Sequence, residues 1–183
     1  ENAAGMVLRR PITVDGDLYW KEFSKNVDGL GSSINEYARR ALVSSLTYGH
    51  SAILIDFPND PGILTLRDEI ERNRRPYFIQ IDAPQIWGWR QESTNPSSKL
   101  TQIRLHEWVC VPEGDFGEKR EEQIRVIRPG TFETWNTEGL ISTGAFSLDE
   151  IPFVPIYSNR MGMLSSKPPL LDIASLNITH YQR

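Results

Sequence analysis

The chain has 183 residues, enough for one sizeable domain with a proper core and a short appendage. Hydrophobic residues make up 39% and charged residues 24%, which excludes a disordered chain. The formal net charge is -4, with Lys and Arg scattered among Asp and Glu. This argues against a surface that grips nucleic acid by its phosphates, but not against a pore through which DNA slides.

Asn2–Arg9 reads as the tail of a helix, closed by Pro11, which pushes its predecessor out of helical geometry. The chain thus looks as if it starts inside one helix and stops inside another, as a fragment of something longer would. Ile12–Val14 is expected as a short strand before the Asp15-Gly16 turn, and Asp17–Val27 as a short helix or packed segment around Trp20 and Phe23. Ser33 stands three residues before Glu36, a capping box. Behind it Ile34, Tyr37, Ala38, Ala41, Leu42 and Leu46 recur with helical period as one buried stripe, and Gly49 sits at the C-cap. Ser51–Phe57 is a nearly continuous apolar run, the pattern of a central strand buried on both faces. Pro58, Pro61 and Gly62 end it.

Thr65 can cap a charged, solvated helix over Leu66–Asn73, and Tyr77–Ile81 is a strand. After Ile86, Trp87 and Trp89, the polar segment Gln91–Lys99 reads as a loop. Gln102–Val111 and Gln123–Arg128 read as strands separated by a charged loop, Glu113–Glu122. Pro129-Gly130 then turns the chain into Thr131–Asn136. Ile151–Tyr157, interrupted by prolines, is an edge strand. Asn159–Lys167 is a loop, and Pro168-Pro169 introduces a last helix with the stripe Leu170, Ile173, Ala174, Leu176 and Ile178. The fold class is α+β, with a mostly antiparallel mixed sheet and two or three packed helices.

Chemistry is sparse. His50, His106 and His180 are far apart, and no metal-ligand spacing, phosphate loop or nucleophile elbow is present. Cys110, the sole cysteine, reads as a small hydrophobe in its strand, and no internal disulfide is possible. Gly29-Leu30-Gly31 reads as a helix-initiating turn rather than an anion cradle, because no apolar strand precedes it. Asp56 closes the apolar strand, where α/β enzymes often place a carboxylate, but capping the following turn with Asn59 and Asp60 suffices to explain it. Trp87 and Trp89, two apart on a strand, are expected on one face as a core or subunit contact. Arg72, Arg74 and Arg75 are offset by Asp68, Glu69 and Glu71 as a solvated surface. No run approaches the roughly 20 apolar residues of a membrane span, and no signal peptide is visible. No catalytic, metal or cofactor site is assigned, no cofactor is expected, and the chain reads as a non-enzyme.

Taken in order, several segments resemble a family of bacteriophage and prophage proteins described as portal or portal-like. They are Gly5-Met6-Val7-Leu8-Arg9-Arg10, Asn26-Val27-Asp28-Gly29-Leu30-Gly31, and Leu46-Thr47-Tyr48-Gly49-His50 running into Ala52–Pro58. Arg75-Pro76-Tyr77 follows with Ile86-Trp87-Gly88-Trp89, then Ile151-Pro152-Phe153-Val154. The last are Lys167–Ala174 (KPPLLDIA) and Leu176–Tyr181 (LNITHY). Each motif is weak alone, and together they span nearly the whole chain. The resemblance implies a wing-like domain over 1–168 and, over 169–183, the start of a helix leading toward the stem. It implies a structural subunit of a homo-oligomeric ring of roughly twelve copies. Such a ring sits at a capsid vertex of the virion, is assembled in the host cytoplasm, and passes DNA without sequence-specific contacts. Its partners are terminase, the head–tail adaptor and capsid or scaffold proteins; no membrane is involved. Three alternatives remain: another virion or adaptor protein, a hydrolase centred on Asp56 with His50, and a nucleic-acid module using Trp87, Trp89 and Arg90. Convergence of Asp56 and His50 in one pocket is what the hydrolase would need.

Overall fold

The computed structural model describes residues 2–57, 75–94 and 97–182. The helix expected over Leu66–Asn73, its Thr65 cap and the breakers Pro58, Pro61 and Gly62 lie outside them. In chain order the elements are α1 (Asn2–Val7), α2 (Leu18–Phe23), α3 (Ile34–Tyr48), β1 (His50–Asp56) and β2 (Tyr77–Asp82). There follow β3 (Ile86–Thr94), β4 (Ser97–Glu113), β5 (Gly117–Arg128), β6 (Thr131–Asn136), β7 (Gly139–Ala145) and β8 (Phe153–Tyr157). The short pair β9 (Arg160–Gly162) and β10 (Ser165–Ser166) precedes α4 (Leu171–Tyr181). The fold is α+β with antiparallel sheets, ending in a helix. Contacts divide the chain into two compact units, residues 1–83 with 153–183, and residues 84–152. The divisions fall inside the stretch expected as one domain over 1–168, and residues 169–183 cluster with the first unit.

The first unit is a three-stranded sheet, β2-β1-β8, with α3 packed on it. The apolar run of β1 is central, and β8, with Pro155 inside it and Pro152 just before it, is an edge. The capping box of α3 is complete: Ser33 accepts from the Glu36 amide, and the Glu36 carboxylate accepts from the Ser33 amide at 2.8 Å. The buried line of α3 runs through Tyr37, Ala41, Ser44 and Ser45 rather than through the larger aliphatics. Two serines are tolerated there because each is satisfied. Ser44 donates to Asp82 at 2.6 Å, while the Ser45 hydroxyl reaches the Ala41 carbonyl and the Ser51 hydroxyl, each at 2.8 Å. The core is built from Phe23, Val27 and Tyr37 with Ile34, Ile53 and Phe78 against them. Ile12–Val14 is not a strand. The Ile12 amide is taken by the Asn35 side chain at 2.6 Å instead of by a ladder.

The helix end at Gly49 fixes the next corner. Gly49 has φ +93°, and its carbonyl accepts from the Ser158 hydroxyl at 2.7 Å and from the Ser166 hydroxyl. This ties the end of α3 to the end of β8 and to the β9–β10 hairpin, which occupies the stretch expected as a loop over Asn159–Lys167.

The second unit is a five-stranded meander, β3-β4-β5-β6-β7. Two expected loops are strand. Over Gln91–Thr94 and Ser97–Lys99 the ladder continues, with Gln91 opposite Leu100 and Glu92 opposite Lys99. Over Glu113–Glu122 it continues with Glu121 opposite Val109 and Glu118 opposite Pro112. Both were read as loops because they are polar, but polarity reports solvent exposure and not backbone conformation. β7 was not expected at all. Ile103, Leu105 and Ile127 are buried and share one face of this sheet.

Candidate assembly surfaces

The two residues named for a hydrolase do not meet. His50 opens β1 and Asp56 closes it, so about 20 Å of extended chain separates them. His50 packs beside the Tyr157 ring, and burial lowers its pKa, which keeps the imidazole neutral. Asp56 accepts from the Phe57 amide at 2.8 Å and from the Tyr77 hydroxyl at 3.3 Å. Asn59 and Asp60 lie outside the described residues. His106 and His180 are placed on β4 and on exposed α4. No group of three or more His, Cys, Asp or Glu residues among the described ones stands close enough to hold a metal ion.

The tryptophan pair is split. A β-bulge places Ile86 opposite Leu105 but Gly88 opposite Arg104, leaving Trp87 as the extra residue. Trp87 consequently turns onto the face of His106 and stacks on its ring, centroids 4.8 Å apart, while Trp89 pairs with Ile103 on the opposite face. The expectation of one shared face fails because period-2 alternation does not survive a bulge. Arg90 is exposed. Arg75 is not a solvated charge: it donates to the Asn26 carbonyl and lies 5.0 Å from the Phe23 ring. Arg72 and Arg74 lie outside the described residues. Cys110 is in its strand but exposed.

Gly29-Leu30-Gly31 is the turn expected, and its Leu30 and Gly31 amides are already occupied. Asp28 Oδ1 accepts from Leu30 and Ser32 amides at 3.0 Å each, and Asn26 accepts from Gly31 at 2.9 Å. Arg40 donates to Asp28 Oδ2 at 3.0 Å. Burial raises the Asp28 pKa, but these bonds and the Ser32 hydroxyl outweigh it and hold the carboxyl well below the usual carboxylate range.

Three surfaces stand out that the sequence reading did not single out as sites. The first is an open groove of about 1040 Å³ in the first unit, between α1 and α3. Arg9, Arg39 and Arg40 line it, with Met6, Val43 and Tyr48 as apolar wall. Among the described residues Arg9 and Arg39 have no ion-pair partner, whereas Arg40 is held by Asp28. Asp82 is at the groove floor, accepting from Ser44 and, at 2.9 Å, from Gln80.

The second is an arm. β4 pairs with β3 only as far as Leu105, and β5 pairs with β6 only from Ile124 onward. Between them, residues 107–113 and 117–123 pair with each other alone, a two-stranded ribbon extending about 20 Å. At its root His106 Nε2 meets Glu122 at 2.6 Å, Arg125 meets Glu107 at 3.1 Å, and Arg120 lies 4.9 Å from the Trp108 ring. Gly114, at φ +66°, opens the three-residue tip, where Phe116 is fully exposed.

The third is α4. Leu170 beside its first turn and Leu171, Ile173, Leu176, Ile178 and Tyr181 within it are all exposed, and α4 buries no residue. No helix among the described residues is long and apolar enough to cross a membrane. Set against known protein families and curated proteins, the chain matches none.

Proposed function

We propose that this chain is the wing-like part of a portal-type ring subunit of a tailed bacteriophage or prophage. In this reading copies of the full-length protein close a ring at one capsid vertex of the virion. DNA enters and leaves through the channel, and terminase and then the head–tail adaptor dock on the ring. The chain performs no chemistry of its own and needs no cofactor.

The observation that carries the reading is the uncovered helix α4. An eleven-residue helix with Leu171, Ile173, Leu176 and Ile178 all facing solvent is unstable by itself in water and presents an apolar patch of the kind that marks an interaction site. A ring subunit supplies the missing cover from its own stem and its neighbours. The other readings lose support: Asp56 and His50 are held at opposite ends of β1, and Trp87 and Trp89 at opposite faces of their sheet. The deciding experiment is the mass of the full-length protein by light scattering, followed by negative-stain imaging. Rings of roughly twelve subunits with a central hole are expected. A monomer or dimer at every salt concentration would overturn the proposal.

A further inference from the structure

The charge of this chain is segregated. Residues 107–123 hold six acidic side chains, Glu107, Glu113, Asp115, Glu118, Glu121 and Glu122, against Lys119 and Arg120. The arm alone thus carries a net charge of -4, equal to that of the whole chain, and all other residues together are neutral. Among the described residues, Glu113, Asp115 and Glu118 at the tip have no ion-pair partner. Between them projects Phe116, with no contact to cover it. A two-stranded ribbon carrying an uncovered aromatic at its end has little stability alone, and packing its tip elsewhere supplies what it lacks.

The complementary surface is on the same chain. The α1–α3 groove offers two guanidinium groups without an ion-pair partner among the described residues, Arg9 and Arg39, and the apolar side chains Met6, Val43 and Tyr48. Its volume, about 1040 Å³, is at the upper end of the roughly 300–1,000 Å³ range of small-molecule sites, room for a turn of several residues. We infer that the acidic, Phe116-tipped arm of one copy docks in the arginine-lined groove of a second copy. Phe116 is placed against the apolar wall, while Asp115 and its neighbouring carboxylates meet Arg9 and Arg39. The inference rests on the ring reading for its biological setting and deepens it. Two different patches meeting head to tail form a heterologous interface, the only kind that can close a ring of more than two like subunits through one repeated contact.

The test is sedimentation velocity on the 183-residue chain, at low salt and again near about 0.5 M, where surface charges are screened within a few ångströms. The wild type is expected to associate as concentration rises toward about 1 mM, at least tenfold more weakly at high salt. Arg39→Glu and Asp115→Arg should each stay monomeric. Mixed one to one they should associate again, since the first retains a working arm for the working groove of the second, and the two reversed side chains meet with opposite charge in the other contact. Phe116→Ser, at a side chain that touches nothing, leaves the fold intact and should weaken association at least tenfold. A wild type that stays monomeric throughout, a Phe116→Ser variant that associates normally, or a mixture that stays monomeric would each overturn the inference. The outcomes separate it from the ring reading. Rings of a full-length protein carrying Arg39→Glu sink the docking and spare the ring, whereas a mixture that associates while the full-length protein forms no rings does the reverse.

Discussion

Asp28 is a heavily used carboxylate of the first unit, and Asp28→Asn tests that role. The carboxylate is nearly buried and accepts from the Leu30 and Ser32 amides and from Arg40, each at 3.0 Å. Asparagine keeps an oxygen for the amides but removes its charge and turns an NH₂ toward the Arg40 guanidinium. A hydrogen bond to a charged acceptor contributes about 1.5–3 kcal/mol and a neutral one about 0.5–1.5, so two amides lose about 2 kcal/mol between them. The Arg40 side chain is half exposed, and its pairing adds only about 0.5 kcal/mol. With a urea dependence near 2 kcal/mol per molar, the unfolding midpoint should fall by about 1 M. Circular dichroism at 222 nm reads the right unit, because every described α-helix belongs to the first one. The pH dependence follows from the depressed pKa. The stabilisation is complete above the unfolded value of about 3.9 and fades as pH falls toward the lower folded value. The gap between wild type and variant should therefore be constant above about pH 5 and close below about pH 4. A variant that unfolds with the wild type at pH 7, or a gap that ignores pH, would refute this account.

Gly49→Ala should cost about 2–4 kcal/mol, since φ is +93° and a Cβ would come within 2.9 Å of the Ser166 carbonyl; thermal melts followed by circular dichroism check it. Tyr37→Phe should be neutral or stabilising by up to about 1 kcal/mol, because the buried Tyr37 hydroxyl has no hydrogen-bond partner among the described residues. A loss above about 1 kcal/mol in the same melts would reveal a partner. Cys110 should react with a thiol reagent in the native protein nearly as fast as in urea, being exposed on β4, and strong protection would contradict that placement. Amides of α4 should exchange with deuterium orders of magnitude faster than those of α3, which packs four buried residues where α4 packs none.

The first unit was legible where local chemistry and packing agree. Ser33, Glu36 and Gly49 bound α3 in the sequence as in the structure, and the apolar run of β1 announced a central strand. The serine-lined face of α3 was not legible, because Ser44 and Ser45 owe their burial to Asp82, Ser51 and a carbonyl of the same helix, and hydroxyl partners distant in sequence leave no periodic trace. In the second unit polarity misled twice. A ribbon of two strands exposes both faces, so Glu118–Glu122 can be fully charged and still paired residue for residue. The signal for the arm was present in the two glycines Gly114 and Gly117 spaced for a tight turn inside the charged stretch. Arg9 and Arg39 could not be paired by sequence, since only the approach of α1 to α3 brings them to one groove.

The arm and α4 differ in chemistry, and that difference orders the steps of an assembly built from them. A contact between Asp115 and Arg39 is electrostatic, acts over about 10 Å at moderate salt, and chiefly raises the rate of encounter. Covering Leu171, Ile173, Leu176 and Ile178 removes apolar area from water, acts only at contact, and is strengthened by excluded salts such as sulfate. Sodium chloride should therefore slow association of subunits while sulfate tightens what has already formed. In the proposed assembly, arm docking would bring copies together in one orientation and burial of α4 would hold them. If a single surface did both, the two salts would move rate and affinity together. Their separation is the signature of two surfaces, and the placement of all the net charge on the arm, with the most exposed apolar helix elsewhere on the chain, is what makes that separation possible.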